Sequence, residues 1–230
     1  MTATLRRKPP LLHGAGDTYF GLAWKALEWI EASVTDGMHT LETGTGASTI
    51  VFAARGARHI AISPAAGEHD RIRSYCAEQG ISTEKVEFVD ETSHTALQRL
   101  RPEPLDIVLI DGAHGFPFPV LDWYFVQDKL KVGGAMVIDD AYIPAVNGLV
   151  ERLRAMRGWR LEAAPGGRTA VFRKTEHLQL PFDASAEAWA PVFNYLPPPQ
   201  RLVAGLRVRA LDRGPLAEVL RRRTARRSGS

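Results

Sequence analysis

Apolar residues along this chain come in short runs separated by polar or glycine-rich breaks, and the runs switch between a helical and an extended period. Over residues 19–33, Leu22, Ala26, Trp29 and Ile30 share one helical face, with Asp17 placed as a cap, which predicts a first helix. A strand is predicted over 38–43 and a helix over 48–55. Residues 59–63 read as a second strand, and 68–79 as a helix ended by Gly80. Residues 86–89 and 105–110 are the third and fourth strands, with a short helix over 93–100 between them. The fourth is an apolar run of the kind buried on both faces. A helix over 119–130, a turn at Gly133-Gly134 and a fifth strand over 135–138 follow. A helix over 144–156 carries Pro144 near its start. Residues 159–163 and 169–172 flank Pro165-Gly166-Gly167 as a hairpin.

Strands alternating with helices predict an α/β fold, a doubly wound and mostly parallel seven-stranded sheet, whose terminal hairpin makes the last strand antiparallel. Three segments are expected. Residues 1–17 form a basic, proline-containing extension, either loose or lying on the surface. Residues 18–175 form the α/β domain. Residues 176–230 form an arm, first rich in aromatics and proline (Phe182, Trp189, Phe193, Tyr195, Pro197 to Pro199), then helix-like over 201–223. The final residues, 224–230, are expected to be disordered.

Charge sharpens this division. The chain has 230 residues and a net charge of +3. Residues 201–230 hold nine arginines against Asp212 and Glu218, a balance of +7, which leaves the first 200 residues at −4. The basicity belongs to the tail, which suits an acidic surface or a second copy of the chain, and it is no sign of a nucleic-acid-binding body. The single cysteine, Cys76, excludes a disulfide framework and a cysteine-based zinc site. No apolar run approaches the roughly 20 residues of a membrane span. Residues 1–10 lack the apolar stretch of a signal peptide, so a cytoplasmic location is expected.

The candidate chemistry lies at the carboxyl ends of the predicted strands, where doubly wound sheets bind ligands. After strand one comes Glu42-Thr43-Gly44-Thr45-Gly46-Ala47-Ser48-Thr49. Glycines there let the backbone approach a ligand, and the following helix offers free N–H groups. Glu42 suits a ligand bearing an ammonium or a sulfonium and suits a pyrophosphate badly. A dinucleotide fingerprint counted from Gly44 needs glycine at 49, where this chain has Thr49. Ser63 ends strand two, Ser93 follows strand three, Asp111 and His114 follow strand four, and Asp139-Asp140 follow strand five. Three carboxylates in one cleft repel unless a cation or proton lies between them, and their hard oxygens suit Mg²⁺, Mn²⁺ or Ca²⁺. The plain readings are that Asp140 caps a helix and Asp111 starts a turn. Neighbouring strand residues point to opposite faces, so Asp139 and Asp140 both reach the cleft only if the strand has already ended.

The turn E-x-G-x-G-x-S resembles the cofactor loop of class I S-adenosylmethionine-dependent methyltransferases. The pattern L-I-D-G-A-H followed by V-I-D-D resembles metal-dependent O-methyltransferases acting on catechols and on sugar hydroxyls of natural products. The resemblance covers about residues 18–174. It implies S-adenosylmethionine as cofactor, with Glu42, Gly44, Gly46, Ser48, Ser63, Ser93 and Asp111 toward it. It implies Asp111, Asp139 and Asp140 as ligands of a divalent cation such as Mg²⁺, and a small-molecule hydroxyl as acceptor. His114, with a pKa near neutrality, is the candidate general base beside Asp111. The family's usual acid for the ribose diol is replaced by Ser63, and Glu68 reads as an ordinary helix-start residue. Two other classes remain: a non-catalytic S-adenosylmethionine-binding protein, and a nicotinamide-dependent oxidoreductase, against which Thr49 and the hairpin ending speak.

Overall fold

The computed structural model describes residues 1–12 and 21–177. Its elements are α1 (Thr2–Arg7), α2 (Trp24–Ser33), β1 (His39–Thr43), α3 (Ala47–Ala54), β2 (Arg58–Ile62), α4 (Ala66–Glu78) and β3 (Val86–Val89). Then come α5 (Ser93–Arg99), β4 (Leu105–Ile110), α6 (Phe118–Val126), β5 (Leu130–Ile138), α7 (Pro144–Ala155), β6 (Trp159–Ala163), a 3-10 turn (Pro165–Gly167) and β7 (Ala170–Lys174). The seven strands form one sheet in the order β3-β2-β1-β4-β5-β7-β6. β1 to β5 pair in parallel, and β7 inserts antiparallel between β5 and β6. The expected fold class holds. The chain separates into two compact units, Met1–Asp183 and Ala184–Ser230. The expected arm, its aromatic stretch and basic tail, and the Asp17 cap lie outside the described residues.

The strand period of two explains the two-faced core. In β4, Val108 and Ile110 face one layer while Ile107 and Leu109 face the other. β5 repeats the division, with Met136 and Ile138 against Ala135 and Val137. Leu149 and Leu153 of α7 and Trp123 and Val126 of α6 close the first layer. Leu27 and Ile30 of α2 and Ile50 and Phe52 of α3 close the second. No helix among the described residues is long and apolar enough to cross a membrane.

Two expectations are corrected. The N-terminal segment is not loose. Leu5 of α1 is fully buried and Leu12 nearly so, both in the layer built around α2 and α3. The Met1 ammonium pairs with Glu31, and the Thr2 N–H donates to Glu31 Oε2 at 2.9 Å. The basic residues that suggested a solvated extension, Arg6, Arg7 and Lys8, simply take the exposed side. Gly133-Gly134 is not a turn before a short strand. It lies inside β5, whose pairing with β4 jumps from Leu105↔Leu130 to Ile107↔Ala135. Those extra residues bulge out of the ladder, and Gly133 takes φ +83° to allow it.

Candidate active site

A cavity of about 670 Å³ opens over the carboxyl ends of the parallel strands. Read across the sheet, its wall runs from Ser93 and His94 past β3, to Ser63 and Glu68 past β2, to Gly44 and Gly46 past β1. It continues to Asp111 and His114 past β4 and ends at Asp140, Tyr142 and Arg168. This volume is within the usual range for a small-molecule site.

The loop after β1 is built on a buried polar network. Glu42 is fully buried and does not line the cavity. Ser48 Oγ donates to Glu42 Oε2 at 2.6 Å, and the Thr49 hydroxyl donates to Oε1. His59 Nε2 lies 3.1 Å from the same Oε1, while its Nδ1 lies 2.8 Å from Thr40 Oγ1. The Phe52 ring stacks on His59 at 4.3 Å. Thr49 Oγ1 also accepts the Gly46 N–H at 3.0 Å, so the network reaches the loop backbone. Glu42 therefore acts through the loop, from beneath it. Gly44 is required for a local reason: its φ is +82°, and a Cβ there would sit 2.2 Å from the Asp111 carbonyl oxygen. Sequence reasoning passed over Thr49 and His59. Thr49 was informative only as a missing glycine, and His59 only as a strand residue.

The acidic end is arranged differently from the expected trio. The strand has ended at Ile138, and the next two residues diverge. Asp139 is buried, and Arg168 Nη2 donates to its Oδ2 at 2.8 Å while the Thr169 hydroxyl donates to Oδ1. Asp139 does not line the cavity. Asp140, at φ 52°, turns the other way and does line it. Its Oδ2 lies 3.2 Å from His114 Nε2, and its Oδ1 contacts Arg168. Asp111, His114 and Asp140 each offer a ligand atom, all within 4.8 Å of one another. The geometry thus puts His114 where the sequence reading placed Asp139. Burial pushes the Asp111 carboxyl well above the usual range; Asp139, Asp140 and Glu42 add to the rise and Arg168 offsets part of it. Burial also pushes Asp139 up, against the pull of Thr169 and Arg168. Arg168 was not foreseen, since a lone arginine after a glycine turn carries no motif.

Ser63 is buried at the cavity wall, and its Oγ donates to Glu68 Oε2 at 3.1 Å. Ser93 lines the adjacent wall above the buried Asp122 of α6. Burial pushes the Asp122 carboxyl up, with Ser93 and Thr43 pulling it back in part.

Comparison with known proteins agrees with this geometry. Residues 41–141 match a family model described as a methyltransferase domain. No curated protein matches the sequence. Among solved structures, cofactor-bound Rv0187 from MTB superposes with a TM-score of 0.60 at 17% identity, covering 70% of this chain and 84% of that one. The O-methyltransferase NovP gives 0.57 at 15%, covering 70% and 84%. An rRNA methylase from Streptococcus thermophilus gives 0.50 at 15%, covering 66% and 95%. At such identities the likeness is one of fold. The matched residues run from β1 to just past β5 and include the glycine loop, Asp111, Asp139 and Asp140, so that stretch is similar to a methyltransferase domain.

Proposed function

We propose that the protein transfers the methyl group of S-adenosylmethionine to a hydroxyl of a small molecule, assisted by a divalent cation. The observation that carries this reading is the convergence of Asp111, Asp140 and His114 at one end of the cavity, beyond the loop of Gly44 and Gly46. The bound cofactor supplies an electrophilic methyl group on a sulfonium. The chain aligns and activates. Gly44 and Gly46 seat the cofactor's amino-acid end, and Ser48 holds the loop through Glu42. Ser93 and Ser63 face the nucleoside side.

The residues fit a divalent cation by charge. Fully ionised, Asp111, Asp139 and Asp140 would carry three negative charges against one positive charge on Arg168, and their burial and mutual repulsion hold the Asp111 carboxyl up until a cation offsets them. The remainder matches an ion held by Asp111 and Asp140 with His114, and such an ion would lower the pKa of an acceptor hydroxyl. The two carboxylate oxygens suit Mg²⁺ or Mn²⁺, and the imidazole nitrogen favours Mn²⁺ or another transition ion over Mg²⁺. An acidic cavity end also favours a small neutral acceptor over a phosphodiester backbone, whose charge it would repel.

The test is methyl transfer from radiolabelled S-adenosylmethionine across a panel of phenols, catechols and glycosides, with ribosomal RNA as a further arm. It is run with Mg²⁺ and with excess chelator. Strong suppression by chelator, with little change in cofactor affinity, is the expected result. Turnover that persists in chelator removes the cation and leaves His114, oriented by Asp140, as the general base. Labelling of RNA alone overturns the acceptor class. Cofactor binding with no turnover on any arm marks a non-catalytic binding protein.

A further inference from the structure

Resting on the reading of this cavity as an S-adenosylmethionine site, we infer that His59 is a positioning residue for the cofactor: its Nε2–H holds Glu42, and through Glu42 it sets the loop of Gly44 and Gly46. His59 stands on β2 opposite Thr40 of β1, and it does not line the cavity. Glu42 is fully buried and His59 is 1% exposed. The imidazole is held on both nitrogens, with Nε2 3.1 Å from Glu42 Oε1 and Nδ1 2.8 Å from Thr40 Oγ1. Phe52 of α3 stacks on its face at 4.3 Å, with 14° between the ring planes. A ring gripped at two edges and one face keeps one orientation.

Counting protons shows what the ring contributes. The Ser48 hydroxyl donates to Glu42 Oε2 at 2.6 Å, and the Thr49 hydroxyl donates to Oε1. Both oxygens therefore accept, as those of an ionised carboxylate do, and the His59 nitrogen that faces Oε1 carries a hydrogen. A carboxylate sealed from water is costly unless donors surround it. Ser48 and Thr49 belong to the first turn of α3, so they move with the loop that precedes it. In this network His59 is the donor that comes from a neighbouring strand. The bonds run from Thr40 through His59, Glu42 and Thr49 to the Gly46 N–H, which donates to Thr49 Oγ1 at 3.0 Å. Gly46 and Ser48 line the cavity, so this chain of bonds references the cavity floor to the sheet. Without the Nε2–H, Oε1 keeps only Thr49, and the loop and its carboxylate lose that reference.

The experiment is calorimetric titration of the wild type, His59→Gln, His59→Asn and Thr40→Val with two ligands. One is S-adenosylhomocysteine. The other is 5′-methylthioadenosine, which keeps the nucleoside and the sulfur and lacks the amino-acid end that the loop seats. A glutamine amide reaches the place of Nε2 and keeps a donor on Glu42, whereas an asparagine amide stops near the place of Nδ1 and leaves Oε1 one donor short. His59→Asn is expected to weaken S-adenosylhomocysteine about 10-fold, the low end for a hydrogen bond to a charged group, and His59→Gln to stay within about 3-fold of the wild type. Neither should change the affinity for 5′-methylthioadenosine. Thr40→Val leaves the Nε2–H in place and should cost S-adenosylhomocysteine less than His59→Asn does. Unchanged S-adenosylhomocysteine affinity in a folded His59→Asn overturns the assignment. So does an equal loss for both ligands, which would mean that the ring only supports the fold, and so does a His59→Gln as weak as His59→Asn. Where His59→Asn does not fold, Thr40→Val decides: a loss confined to S-adenosylhomocysteine supports the inference, and no loss or an equal loss overturns it. Failure of the wild type to bind S-adenosylhomocysteine is a different result: it removes the cofactor reading of the cavity, and this inference with it.

Discussion

Arg168 joins Asp139 to Asp140: its Nη2 lies 2.8 Å from Asp139 Oδ2 and also contacts Asp140 Oδ1. A residue from the turn before β7 therefore holds together two carboxylates from the end of β5. The consequence is a division of labour between adjacent aspartates. One is consumed in holding the guanidinium, and the other is presented to the cavity.

Arg168→Gln should show this directly. It leaves Asp139 buried without its charge partner, and the expected loss is about 2–3 kcal/mol, below the figure for a fully buried pair because Arg168 keeps a solvent-facing edge. The same change makes the cluster more negative, so Mg²⁺ should bind more tightly than to the wild type. Urea denaturation and metal titration measure the two effects, and looser Mg²⁺ binding would contradict the charge argument.

The two aspartates should separate under mutation. Asp140→Asn should abolish cation binding and cation-dependent turnover. Asp139→Asn keeps the side chain's shape and acts only through Arg168, so a loss in cation affinity of about 10-fold is expected, as for a residue that orients ligands from behind. Equal effects of the two substitutions would restore Asp139 as a direct ligand.

Gly44→Ala should fail for steric reasons. The new Cβ would meet the Asp111 carbonyl oxygen at 2.2 Å, on a backbone at φ +82°. Overpacking plus a left-handed conformation should cost about 2–4 kcal/mol and displace Asp111. Thermal melting reads the stability. S-adenosylhomocysteine titration reads the site, and wild-type values in both would show that the turn can relax.

Asp122 supplies a pH signature. Its folded-state pKa is raised by burial, so the folded state binds its proton more tightly than the unfolded chain does. For a carboxyl shifted upward, the stabilisation is present below the unfolded value near 3.8 and is lost as pH rises toward the raised folded value. Asp122→Asn has no proton to lose. Its Tm relative to wild type should therefore increase between pH 4 and pH 7, and a constant difference across that range would refute the assignment.

Much of this protein was written in local pattern. The strand and helix periods, the double apolar run of β4 and the proline at the start of α7 depend on neighbouring residues only. So do the glycine loop and the polar residues closing each strand, because chain direction alone decides which end of a parallel strand carries them. Contacts distant in sequence decided the rest. Leu5 is buried because α2 and α3 present a surface to it, which a charged, proline-containing stretch does not announce. The bulge in β5 comes from its register with β4. Glu68 became a cavity residue because Thr45, twenty-three positions earlier, and Ser63 hold its carboxylate there. Asp139 left the cavity because Thr169 and Arg168, about thirty positions later, take its oxygens. Local pattern sets which residue types stand at the strand ends. Which of them face the cavity follows from long-range contacts, because a carboxylate turns toward whichever donors the fold brings within hydrogen-bonding reach.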